Sequence, residues 1–420
     1  MNVMRSLTLA LALATALPVE AAYLPDPHAA EAALWASPAV VQARSELDAQ
    51  RLRSDALKRG RAEWAVGLDV ANRRVDSLGE RYAEWGASVS RPLRLPGLAA
   101  ADRSLADALV AHAGASLGEA LHESGRQLLA LWFDWLNASS QVGLWQEQTR
   151  IAERQLDAVN ARIRLGEAAR AERVSAEAAL AQARLRLQQA SSGERQARAR
   201  LQAAYPGIEV VAVDVLPAPS APEGPVEAYV DAVLAHSHEL LRARQKAEVL
   251  RAEAQQLAKR DGIDPNLGVF YRNEKGGDEQ VLGLNLGLTL PGGARRSDRL
   301  AAEALAGAAQ EAATRLEQRL RMEARAAFES ARSQTASWQQ AEQAARALAQ
   351  AARLAERAYA LGEGSFDQLL ANRRMAVEGE LSARQAQVEA LAAQARLQLD
   401  AHRLWALDAD EAADAVHAHP

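Results

Sequence analysis

The side chains able to do chemistry in this chain are numerous but scattered. Lysine and arginine number 49 and aspartate and glutamate 54, for a formal net charge of -5. No bulk positive field is therefore available to hold nucleic acid. There are 8 histidines and no cysteine, which excludes disulfides, thiolate metal sites, a cysteine nucleophile and a lipid-anchoring cysteine. His236 and His238, two apart on one expected helix, point to different faces. His417 and His419 fall in a polar tail and could hold a metal only weakly. No glycine-rich phosphate loop and no nucleophile elbow stands in its required context. Acid–base pairs along helical stretches are the pattern of a solvated face. The chain reads as no enzyme, with no cofactor and no metal site. Two carboxylates are better placed: Glu172 and Asp367 each follow a Leu-Gly-Glu step, Leu165-Gly166-Glu167 and Leu361-Gly362-Glu363.

The elements that would position them come in two copies. Arg5, an apolar run from Leu7 to Leu17, Pro18 and then small residues make residues 1–21 an export signal, cut near Ala21 or Ala22. Its apolar run is too short for a membrane helix, which needs roughly 20 residues, and no later segment is apolar enough. After it, Ser37-Pro38 opens a helical run to Lys58-Arg59-Gly60, and Ser237-His238 opens another to Lys259-Arg260. Leu95-Pro96-Gly97 with Asp102-Arg103 returns as Leu290-Pro291-Gly292 with Asp298-Arg299. The Leu-Gly-Glu steps are the third landmark, and the offset stays at about 200 residues. The expected division is a first repeat over 22–205, a linker over 206–225 rich in proline, a second repeat over 226–407, and a polar tail over 408–420.

Each copy holds one stretch of period two. Trp64, Val66, Leu68 and Val70 alternate with small or polar residues, a turn runs from about Arg73 to Arg81, and Trp85, Ala87 and Val89 alternate again. In the second copy Leu267, Val269 and Tyr271 precede the turn Asn273–Asp278. Five leucines from Leu282 to Leu290 then oppose Gly283, Asn285, Gly287 and Thr289. Strands with one apolar and one small or polar face suit a wall between lipid and water, with Trp64, Trp85 and Tyr271 as interfacial aromatics near strand ends. The rest is long helix. Leu98–Arg164 and Ala294–Ala360 lack proline, Leu121, Leu128, Trp135 and Val142 repeat every seven residues as in a coiled-coil seam, and so do Leu381 and Val388. Return helices run to about Tyr205 and about Leu407. Four spanning strands cannot close a barrel, for which roughly eight is the practical minimum, so the chain must assemble. Two copies would give a filled bore, three an aqueous one.

These residues resemble the TolC-like outer-membrane efflux proteins over the whole mature length. Leu290-Pro291-Gly292-Gly293-Ala294-Arg295-Arg296 is similar to the family's strand-to-helix junction. Tyr359-Ala360-Leu361-Gly362-Glu363-Gly364-Ser365-Phe366 is similar to its periplasmic tip turn, with Ile163-Arg164-Leu165-Gly166 as the first-repeat counterpart. The first junction, Arg91–Gly97, is nearest the heavy-metal branch of cobalt–zinc–cadmium type, though Leu98-Ala99 replace the basic pair usual there. Gln368 stands where the family often has an aspartate, with Asp367 beside it. The resemblance implies a mainly α fold with a small transmembrane β part. A homotrimer would form a 12-stranded barrel in outer-membrane lipid and an α-helical periplasmic tunnel. It further implies an exit channel working with a periplasmic adaptor (a membrane fusion protein) and an inner-membrane efflux pump, for metal cations if the branch holds. Arg164, Leu165, Gly166, Glu167, Leu361, Gly362, Glu363 and Ser365 would then dock the adaptor, and Glu172 and Asp367 would line the aperture. A periplasmic coiled-coil adaptor or structural protein, and a type I secretion duct, are the other readings the residues leave open.

Overall fold

The computed structural model describes residues 23–60, 63–211, 213, 215–405 and 407. The expected export signal and the tail with His417 and His419 lie outside them. Each half of the chain runs through the same series. In the first, α1 (Pro27–Trp35) and α2 (Pro38–Arg59) lead to β1 (Ala65–Val75) and β2 (Glu80–Pro92), then α3 (Pro96–Arg164) and α4 (Arg170–Ala204). In the second, α5 (Val226–His236) and α6 (His238–Arg260) lead to β3 (Asp264–Glu274) and β4 (Glu279–Thr289), then α7 (Gly293–Ala360) and α8 (Phe366–Asp400). The fold is thus mainly α with four strands, as expected. Two compact units divide the chain, and each draws on both halves. One comprises the chain up to Ala33, Leu128–Ala221 and Arg332–Gln394; the other comprises Leu34–Gln127, Pro222–Ala331 and the chain from Ala395.

The second unit contains the sheet, in the order β1-β2-β3-β4 with every neighbouring pair antiparallel. Register aligns like with like. Val66 pairs Val89, which pairs Val269, which pairs Leu284. The next row on that face is Leu68, Ala87, Tyr271 and Leu282. The alternate row, Gly67, Ser88, Phe270 and Gly283, lies on the other face. The ring of Phe270 lies over Gly283, where an added Cβ would meet it within 2.4 Å.

The strands run further than the period-two pattern indicates. Pairing continues to Val75 and Glu80, which shrinks the expected 73–81 turn to residues 76–79. Arg73 holds this extension by bridging Glu84 and Glu274, each at 3.0 Å, so the ladder outlasts its apolar part. Trp85 and Tyr271 consequently sit inside their strands rather than near the ends, tilted against each other at 5.5 Å where the apolar rows give way to the charged ones.

Repeated dipeptides at the strand-to-helix junctions do not repeat their contacts. Asp102 is buried and accepts from Arg94 at 2.7 Å and Gln256 at 2.6 Å. In the second copy it is Arg299, not Asp298, that pairs, with Glu303 at 2.7 Å and Asp261 at 3.4 Å. What recurs is an arginine donating to the carbonyls that end the preceding helix. Arg94 donates to Leu57 and Lys58, and Arg295 to Arg260 and Gly262.

The first unit packs large aromatics and small alanines. Trp132 and Trp135 lie 4.9 Å apart, and their indole N–H groups donate to the Tyr23 carbonyl at 2.8 Å and to Glu194 at 3.0 Å. On α7, Ala345 and Ala352 are buried, and the backbone of Gly379 on α8 comes so close to Ala345 and Leu348 that a Cβ there would clash. Among the described residues no helix is long and apolar enough to cross a membrane.

Candidate functional site

Four helix ends meet in the first unit: the C-terminus of α3 with the start of α4, and the C-terminus of α7 with the start of α8. Both long helices stop by the same device. Gly166 donates to Ile163 at 3.0 Å and Glu167 to Arg162 at 2.9 Å; Gly362 donates to Tyr359 at 3.1 Å and Glu363 to Ala358 at 2.9 Å. This double reach-back closes a helix only if the first donor residue is left-handed. Gly166 and Gly362 are, with φ of 80° and 78°. Behind the turns Val159, Ala176, Phe366 and Leu369 form one buried cluster, with Ile163 and Tyr359 packed on it, so all four helix ends share a core.

The turn residues themselves face out. Arg164, Glu167, Glu363 and Ser365 are exposed, and so are two equivalent leucines, Leu165 at 73% and Leu361 at 66%. Glu172 and Asp367 lie in the first turns of α4 and α8, where a carboxylate complements the helix dipole, although the position matching Glu172 is Gln368 and Asp367 stands one residue before it. They are not equally free. Asp367 is exposed, whereas Glu172 is half-buried and accepts from the Tyr359 hydroxyl. Burial, and then this bond to Glu172, push the Tyr359 phenol up to about 12. Arg162 lies over the Tyr359 ring at 4.6 Å, and Phe366 packs against the same ring at 5.4 Å. The two hairpins are tied again by Arg373, which donates to Gln155 and pairs with Glu356 at 2.7 Å.

Sequence reasoning placed Tyr359 and Phe366 in the turn motif but assigned them no task, and passed over Arg162. The available signal was that Tyr359 and Arg162 stand three and four residues before the turn glycines, on the face that must pack inward. The reading of His236 and His238 needs correction. They do not share a helix: His236 ends α5, His238 opens α6, and Ser237 between them caps α6 by accepting from Leu240 at 3.1 Å. Both rings reach the same partner, His402, at 5.2 and 5.1 Å. Among the described residues no three histidines, aspartates or glutamates form a group that could hold a metal ion. The return helix α8 also ends earlier than expected, at Asp400 rather than near Leu407, because a left-handed turn at His402 closes it.

No protein-family profile and no curated protein matches the chain. Solved structures do. The outer-membrane channel OprN superposes with a TM-score of 0.75 at 16% identity, over 90% of each chain. CusC, studied for conformational changes that accompany folding and transmembrane channel formation, gives 0.74 at 10% identity, over 89% of this chain and 91% of that one. The Campylobacter jejuni outer-membrane channel CmeC gives 0.73 at 12% identity, over 93% and 88%. The chain has the fold of these outer-membrane channels. The likeness covers about nine-tenths of the chain, at an identity too low to carry over individual residues.

Proposed function

We propose that this protein is an outer-membrane exit channel of a tripartite efflux system. It would pass cargo to the outside after a periplasmic adaptor and an inner-membrane pump have delivered it. The observation that carries this reading is the sheet face made of Val66, Leu68, Val70, Val89, Val269, Leu282, Leu284, Leu286 and Leu288. Its members are left open to solvent in the single chain, Val70 at 85% and Leu284 at 74%. A soluble protein does not leave an apolar face of that extent uncovered, and lipid is the surrounding that makes it favourable. This counts against the adaptor reading. A type I secretion duct would share the sheet, and nothing in the turns favours it.

At the turns, Leu165 and Leu361 with Arg164, Gly166, Glu167, Gly362, Glu363 and Ser365 form the surface for adaptor hairpins. Glu172 and Asp367 sit one step inside it, and three copies would put six carboxylates around the bore. That ring and the junction at Arg91–Gly97 make a metal cation the favoured cargo. The test is single-channel recording in planar bilayers. The parent should conduct with cation preference, and E172A/D367A should lower the cation-to-anion permeability ratio severalfold while the assembly stays intact by light scattering. A protein recovered only from the soluble periplasm and without conductance would overturn the channel reading; an unchanged ratio would remove the carboxylates from the aperture.

A further inference from the structure

Four histidines separated widely in sequence meet in the second unit. His402 is the hub. Its ring stacks on His122 of α3 at 5.4 Å and 20°, stacks on His236 at the end of α5 at 5.2 Å and 25°, and leans on His238 at the start of α6 at 5.1 Å and 42°. The group runs from the interior to the surface, with His122 buried, His238 and His402 half-buried, and His236 exposed. Room for it is provided by Gly118, one turn before His122 on α3, where an added Cβ would strike the His238 ring within 2.4 Å. The hub is also an expensive place for a histidine. His402 donates to Leu399 at 3.0 Å and Arg403 to Gln398 at 2.8 Å, the same helix-ending pattern as at Gly166 and Gly362. Its φ of 53° belongs to the region that glycine occupies more readily. Imidazole contacts hold it there.

Neutral imidazoles can stack in this way; imidazolium ions about 5 Å apart repel. The surrounding charges do not relieve that repulsion. Asp400, the nearest carboxylate at 3.5 Å from His122, is already paired with Arg126 at 3.0 Å and Arg396 at 2.8 Å. From α3, Glu119 and Glu123 also face Arg126; from α5, Tyr229 faces Asp400 and Arg396. From α6, Glu239 is held by Arg319 of α7, and Arg242 adds another positive charge near Glu119. Burial, then the positive charge of Arg126, depress His122 to about 3, with Asp400 opposing. A group depressed in this way stabilises the folded contact above its unfolded value near 6.5, and that contribution is lost as pH falls below 6.5.

We propose that the four imidazoles are a proton-operated clasp. Above neutral pH it fastens the chain that follows α8 to α3 and to the α5–α6 corner, and in mild acid it releases that segment while the helices around it stay folded. Each proton the closed clasp refuses raises the opening constant roughly tenfold per pH unit below 6.5.

Hydrogen–deuterium exchange on the detergent-solubilised full-length assembly, with EDTA present, tests this. After correction for intrinsic rates, protection of amides 401–405 should fall at least tenfold between pH 7.5 and pH 5.0, while amides 244–258 of α6 keep theirs. H402G keeps the left-handed cap and removes the hub, so it should abolish the difference between the two pH values. The idea is overturned if segment 401–405 is equally protected at both pH values. It is equally overturned if α6 loses protection in parallel, or if H402G shows the full wild-type fall.

Discussion

Gly166, Gly362 and His402 hold the same left-handed position at the ends of three helices, and the contrast between them locates the tasks of single residues. At the two glycines there is open space where a side chain would stand, so the cost of replacement lies in the backbone alone. Gly362→Val should destabilise that turn by about 1 kcal/mol or more. Exchange at amides 358–366 would rise, membrane insertion would stay normal, and export would fail because Leu361 and Glu363 lose their placement. Normal export by such a variant would remove the turn from the docking surface. The glycines were legible in the sequence because each follows a long run without proline and recurs at a fixed offset. His402 was not, since a histidine at a helix end carries no local mark of left-handedness. Nor could its partners be found from spacing: two of them flank Ser237 in what reads as one helix, and the third is on α3, 280 residues away by subtraction of 122 from 402. Glu172 was legible as a carboxylate near a turn; its bond to Tyr359 was not, because it joins two helices whose neighbourhood only the fold defines.

The strands were the most legible elements, for a physical reason. A sheet with lipid on one side and water on the other must alternate without interruption, and Leu282 to Leu290 does so. Where the alternation gives way to charge, the reading ended strands too soon, because Arg73, Glu84 and Glu274 support pairing through side chains and not through an apolar face. The two faces should respond differently to one charge. Leu284→Arg puts a guanidinium in the row Val66–Val89–Val269–Leu284, at an expected cost of about 2–4 kcal/mol if that row lies near the bilayer midplane. Asn285→Arg, one residue on, points to the opposite face and should spare insertion while altering conductance. Outer-membrane yield of assembled protein, measured for both variants, checks this. Equal yields, or a greater loss for the Asn285 variant, would reverse the assignment of the faces.

At the scale of the whole molecule the sheet is unfinished. Its order leaves β1 and β4 each with one edge unpaired in the single chain, over strands of 11 residues. In hydrocarbon every unpaired backbone group costs several kcal/mol, far beyond what side chains on the apolar face could offset. The sheet can enter a bilayer only if β4 of one copy pairs β1 of the next, and three copies give the twelve strands that leave an aqueous bore. The chain contains no cysteine, so introduced pairs can be cross-linked without background. Single cysteines at Val66, Leu68 or Val70 of β1, each combined with Leu284→Cys of β4, should yield disulfide-linked products of two and three chains in oxidised membranes. The register across the subunit boundary decides which pair reacts best. Because the ring closes on itself, the ladder should end at three. Products of four or more chains, or no linkage between chains from any of the three pairs, would rule out this closure.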